Sequence, residues 1–216
     1  MKFDAVLFDC DGVLVDSEGL TNSVLRDMLA ERGWSMTLQE CMDVFMGNTV
    51  MDKQLQIEQH TGQPLTPDWL LAFRERRNAV LDAQIQAIPN IHQAVHALHA
   101  ATQGRIACAS GADRFKIELM LHKVGLAHYF GGRIVSGQEM PRNKPFPDVY
   151  LAAADLLGVA PRRCAVVEDT LTGLRAGVAA GATVFAYAPH GEAQAMLEAG
   201  ASQVFADMAE LAALMA

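Results

Sequence analysis

The sequence predicts a doubly wound α/β core interrupted by a small all-helical domain, and three observations carry that prediction. Short β-branched or apolar runs alternate with helical patterns over most of the chain, which is the signature of a parallel sheet covered on both faces. Residues 18–86 break the alternation with helical periodicity and no strand pattern. Most of the apolar runs end abruptly in polar residues or glycine, as strands do where they leave a sheet.

The expected strands, in order, are KFDAVLF (2–8), RIACA (105–109), RIVSG (133–137), CAVVE (164–168), TVFAY (183–187) and SQVFA (202–206). Helical patterns lie between them at 90–101, 112–124, 147–158, 171–180 and 191–199. The result is a Rossmann-like core over residues 1–17 and 87–216, with a helical cap over 18–86. Within the cap, Thr37 and Thr66 read as helix N-caps, and Glu40 stands three residues after Thr37 as in a capping box. The joints fall at Val15–Glu18 and Ile88–Asn90, where Pro89 restarts the core.

Composition narrows the function. At 216 residues and 51% hydrophobic content, the chain is long enough to bury a core without metal or disulfide staples. The formal net charge of −8 argues against nucleic acid or an anionic membrane as the main partner. No apolar run approaches the roughly 20 residues of a spanning helix, and the start MKFDAVLFDCDG is not a signal peptide, so the expected location is cytoplasmic. Cys10, Cys41, Cys108 and Cys164 are widely spaced and read as buried reduced thiols.

The segment FDCDGVLVDSE runs an apolar strand straight into Asp9, Asp11 and Gly12. Two carboxylates so close repel unless a cation or a shared proton offsets them, and Mg2+, a hard ion with open positions for phosphate oxygens, is the natural cation. Other strand ends bring Ser110 and Gly111, then Lys144 before Pro145, then Glu168 and Asp169. In an open α/β sheet these all fall at or beyond the carboxyl edge, where ligands bind.

FDCDGVLVDSE, ASG, NKPFPDVY and VVEDTLTGLRAGVAAG together resemble the four ordered motifs of the haloacid dehalogenase (HAD) superfamily, in its phosphatase branch that includes β-phosphoglucomutase. The likeness spans the core from Phe3 to about Ala188, and the insertion fits that family's cap. It implies phosphoryl transfer through an aspartyl-phosphate, with Asp9 as nucleophile and Asp11 as general acid and then base. Mg2+ would be held by Asp9, the backbone carbonyl of Asp11 and Asp169, with Glu168 a further ligand, direct or indirect. Lys144 and Ser110 would grip the phosphoryl oxygens, aided by backbone amides near Gly12 and Gly111. An acid at position 11 points to phosphate and away from halide chemistry, since the dehalogenases need no leaving-group proton.

Specificity is expected in the cap. Gly47–Asn48–Thr49–Val50 resembles the family's substrate loop, and Arg77 falls where the mutase carries a phosphate-binding residue. Arg74, Arg76 and Arg77 equally suit a solvated helix face, and Val50 stands where the mutase has an arginine. The leading expectation is a Mg2+-dependent phosphatase for a small phosphorylated metabolite, a sugar or sugar-acid phosphate, acting as a monomer or weak homodimer. A phosphosugar mutase is the alternative within the family, and a phospho-accepting receiver module the one outside it, disfavoured by the length and by the acid pair on the first strand. Cys10 does not begin a cysteine-phosphatase loop, because residue 16 is aspartate where that loop needs arginine. His92, His96 and His99 share a helix face that reads as a titratable surface stripe, and Met42, Met46 and Met51 read as cap core. Gly173, Gly177 and Gly181 read as a close-packing helix face.

Overall fold

A computed structural model describes residues 2–191 and 193–216. The elements run β1 (Ala5–Phe8), β2 (Val15–Asp16), α1 (Glu18–Ala30), α2 (Leu38–Phe45), α3 (Gln54–Thr61), α4 (Pro67–Gln84), β3 (Gln86–Ala87) and α5 (Ile91–Ala101). They continue β4 (Ile106–Ser110), α6 (Arg114–Lys123), α7 (Ala127–Phe130), β5 (Ile134–Ser136), α8 (Asp148–Leu156), β6 (Cys164–Glu168), α9 (Leu171–Ala179), β7 (Thr183–Tyr187), α10 (Ala193–Glu198), β8 (Gln203–Phe205) and α11 (Leu211–Leu214). Of the helix expected over 191–199, residue 192 lies outside the described residues.

Six strands form one parallel sheet in the order β5-β4-β1-β6-β7-β8. The chain winds outward from β1 through β4 to β5, returns to β6 on the other side of β1, and winds outward again. This places the switch in strand order between β1 and β6, whose register pairs Phe8 with Val167. β1, β4 and β6, at the middle of the sheet, are buried along their length, as a sheet covered on both faces requires. The core on one face gathers Leu7, Tyr150, Val166 and Leu174.

The chain divides into two compact units: the segment ending at Val15 together with Ala87–Ala216, and Asp16–Gln86. The second unit is built from α1 to α4 around Leu25, Leu29, Cys41, Phe45, Ile57 and Phe73. Thr37 caps α2 in a full capping box with Glu40, and the Thr66 hydroxyl caps α4 by accepting from Trp69 N. One expectation needs correcting here. Met46 and Met51 are 44% and 49% exposed, so the interior of this unit is filled by Met28 and by leucine, isoleucine and phenylalanine side chains and not by them. At the first joint stands β2, which pairs with β3, just ahead of the second joint, in a two-stranded sheet of their own.

All four cysteines are free and buried. His96 and His99 set their rings edge-on to Tyr129, and His96 Nδ1 lies 3.1 Å from its hydroxyl. Among the described residues, no helix is long and apolar enough to cross a membrane.

Candidate active site

Asp9 follows directly on β1, and its backbone N–H donates to Val167 O at 3.0 Å, so the sheet ladder itself holds the carboxylate beside the end of β6. There the side chains of Asp9, Glu168 and Asp169 bring oxygens to within 4.8 Å of one another. Lys144, from the segment between β5 and α8, reaches into this group and donates from Nζ to Asp9 Oδ1 and to Glu168 Oε1, both at 2.7 Å. Three segments distant in sequence thus converge on the carboxyl edge of the sheet.

Glu168 is fully buried, and each of its oxygens is occupied. Oε1 accepts from Lys144 and from the Tyr150 hydroxyl, the latter at 2.7 Å. Oε2 accepts from the backbone N–H groups of Asp169 and Thr170 and from the Thr170 hydroxyl. Thr170 in turn caps α9 through Gly173 N, so the helix start and the buried acid share one network. This explains Gly173: a Cβ there would lie 1.6 Å from Glu168 Oε1. The close-packing role expected for that glycine series holds at Gly177, where a Cβ would meet Val184 at 2.8 Å, while Gly173 makes room for the Glu168 carboxylate.

Burial pushes the Asp9 carboxyl up to about 7, with Lys144 pulling against the rise and Glu168 and Asp11 adding to it. For Lys144 burial works against the charged form, but the anionic Asp9 and Glu168 override it and hold its pKa above the usual lysine range. Lys144 is therefore a fixed ammonium among several acids.

Asp11 points elsewhere at the same edge of the sheet. Its Oδ1 accepts from Lys116 Nζ at 2.5 Å and its Oδ2 lies 3.5 Å from Ser110 Oγ. Ser110 ends β4, only 1% exposed, and its hydroxyl also accepts from Ala112 N at 3.1 Å. Asn143 braces this turn by donating to Gly111 O at 2.9 Å, and its Oδ1 accepts from Lys144 N. Gly12 has φ +73°, and a Cβ there would lie 1.9 Å from Asp169 Oδ2. Only glycine lets the loop approach Asp169 this closely.

The residue types fit a hard divalent cation: carboxylate oxygens converge, and a glycine keeps the space in front of one of them open. The side-chain cluster comprises Asp9, Glu168 and Asp169, whereas the Asp11 carboxylate is engaged by Lys116.

The expected cap residues lie in the other unit. Gly47 has φ +71°, and Asn48 is exposed, its side chain donating to Met46 O. Val50 packs on the core of that unit. Arg77 is buried in α4, bonded to Asn78 Oδ1 and 5.8 Å from the Phe73 ring centre, while Arg76 is exposed and pairs with Glu31. The solvated face therefore describes Arg76 but not Arg77.

Sequence reasoning passed over Lys116, Asn143, Tyr150 and Thr170. Lys116 carried no signal, since a lysine in an amphipathic helix reads as solvated; Thr170 could have been found as an N-cap before α9.

Comparison with known proteins places this edge in a family. The haloacid dehalogenase-like hydrolase family profile matches residues 3–181. A crystal structure of a HAD-family hydrolase from Deinococcus radiodurans R1, with bound phosphate and sodium, is 38% identical with a TM-score of 0.79, covering 99% of this chain and 95% of that one. The 6-phosphogluconate phosphatase of Escherichia coli K12 is 28% identical over 88% of this chain and 85% of its own length. The fructose-1-phosphate phosphatase YqaB of the same organism is 30% identical, over 83% and 94%. The chain spans only 17% of the longer Arabidopsis thaliana protein SUPPRESSOR OF QUENCHING 1, chloroplastic, to which it is 29% identical over 83% of its own length. With its sheet order, its acid pair after β1 and the profile match across most of its length, the chain belongs to the haloacid dehalogenase-like hydrolases.

Proposed function

We propose that this hydrolase cleaves the phosphate monoester of a small sugar or sugar acid, with Mg2+ as cofactor and Asp9 as the nucleophile that carries the phosphoryl group. That it is a phosphoric monoester hydrolase follows from its family and from the named phosphatases among its relatives. The observation that carries the finer reading is the convergence of Asp9, Lys144, Glu168 and Asp169 within hydrogen-bonding and metal-ligand distance at the switch point of the sheet.

A carboxylate attacking a phosphate dianion faces like-charge repulsion, so the site must supply positive charge. Lys144 supplies it from a fixed position. Asp9 and Asp169 are the side chains that would hold Mg2+, together with the Asp11 carbonyl; both oxygens of Glu168 are already saturated, which suits an indirect role. When bound, the ion supplies further charge neutralisation for the phosphoryl oxygens. Asp9 attacks phosphorus while Asp11 gives its proton to the departing alkoxide; Asp11 then takes a proton from the water that hydrolyses the aspartyl-phosphate. Ser110 offers a hydroxyl to a phosphoryl oxygen, with backbone amides at Gly12 and Gly111 beside it.

The Asp16–Gln86 unit is the part we assign to substrate selection, through the loop Gly47–Asn48 and through Arg77. Val50, an apolar side chain on that unit's core, offers no grip for a second phosphate, which favours hydrolysis over mutase chemistry. Phosphate release from a panel of sugar and sugar-acid phosphates with Mg2+ tests the reading. Asp9→Asn should abolish turnover by at least about a thousandfold, and a variant with full activity would refute the nucleophile.

A further inference from the structure

We propose that Lys116 is the positioning residue for Asp11, holding one carboxylate oxygen so that the other carries the catalytic proton. The proposal rests on the reading of Asp11 as acid and base given above, and goes beyond it by assigning a role to a lysine outside the family-like motifs.

The geometry begins with a fixed support. Lys116 sits in the first turn of α6, and its backbone N–H donates to the N-cap side chain Asp113 at 3.0 Å. Arg114 next to it makes two bonds to Glu139, at 2.7 and 2.6 Å, and Ser136 Oγ donates to Ala112 O at 2.6 Å. The start of α6 is thereby tied to the end of β5 and the turn after it, so the lysine side chain extends from an immobilised base. Its ammonium donates to Asp11 Oδ1 at 2.5 Å, with the two side chains only 8% and 16% exposed.

Stability does not account for such a pair. Taking both charges out of water costs about as much as their attraction returns, and an apolar pair of similar volume often does as well. What the ammonium provides is direction. With Oδ1 claimed by Lys116, a proton taken up by Asp11 goes to Oδ2, the oxygen turned towards Ser110. As the P–O ester bond breaks, that proton passes from Oδ2 to the leaving oxygen, giving a free alcohol and the Asp11 carboxylate. Water then returns a proton to Oδ2 as its oxygen attacks the aspartyl-phosphate, releasing phosphate and restoring Asp9.

The test exploits leaving groups. p-Nitrophenolate departs without a proton, whereas a sugar alkoxide needs one. Lys116→Met in the full-length enzyme should lower kcat/KM for a hexose phosphate by about ten- to a hundredfold and for p-nitrophenyl phosphate by no more than about threefold. In an Asp11→Asn background, adding Lys116→Met should leave the ratio of the two substrates unchanged, because the lysine acts through Asp11. Equal losses on both substrates, no loss on either, or a further change of ratio in the Asp11→Asn background would overturn the proposal. Failure of the Asp11 reading looks different: Asp11→Asn alone would then show the wild-type ratio. Should the methionine variant not fold by circular dichroism, Lys116→Gln carries the same cycle with the same outcomes.

Discussion

Gly12 and Gly173 are the positions where a single methyl group would strike the acids of the site. At Gly12 an added Cβ meets Asp169 Oδ2 at 1.9 Å, and φ +73° adds backbone strain. Gly12→Ala should therefore displace Asp169, weakening Mg2+ binding in a calorimetric titration and lowering kcat/KM by about tenfold or more, as expected where a small misplacement reaches the chemistry. Tyr150 offers a different kind of change. Burial pushes its phenol well above the usual tyrosine range, so it is a hydroxyl donor to Glu168 at every working pH. Tyr150→Phe leaves one acceptor position of a buried carboxylate unfilled and should cost about 1–3 kcal/mol in urea unfolding; a change under a few tenths would show that the bond is replaceable.

At the scale of elements, the α2 capping box is the clearest local device. The Thr37 hydroxyl accepts from Glu40 N at 3.2 Å, and Glu40 Oε2 accepts from Thr37 N at 2.7 Å. Thr37→Ala should cost about 1 kcal/mol, read as faster hydrogen exchange in α2 with unchanged exchange in β1, β4 and β6. This cap was legible in the sequence, as were the six strands of the sheet, because short apolar runs ended by polar residues have few other readings. CAVVE and TVFAY match β6 and β7 residue for residue. The two-residue strands β2 and β3 were not legible, being too short to show alternation, and α7 is a single turn. The site divides the same way. Asp9, Ser110, Lys144 and Glu168 stand at strand ends or beside prolines, where position marks them out. Lys116 meets Asp11 across 105 residues of sequence from a helix whose pattern gives no hint of it, and only tertiary packing reveals the pair.

For the whole molecule, the acid cluster predicts linkage between ion and stability. At a Mg2+ concentration a hundredfold above its Kd, binding should stabilise the fold by about 2.7 kcal/mol, or about 5–10 °C in Tm for a chain of this size. Asp169→Ala should remove that increment while leaving the ion-free melt nearly unchanged; an equal rise with Mg2+ in the variant would place the ion elsewhere. The ion-free fold is expected to persist because Lys144 already stands between Asp9 and Glu168, 2.7 Å from each. The chain brings its own countercharge to the place where its acids crowd together. On the proposed Mg2+ dependence, copies without the ion would stay folded but idle, and resupply would restore activity without new synthesis.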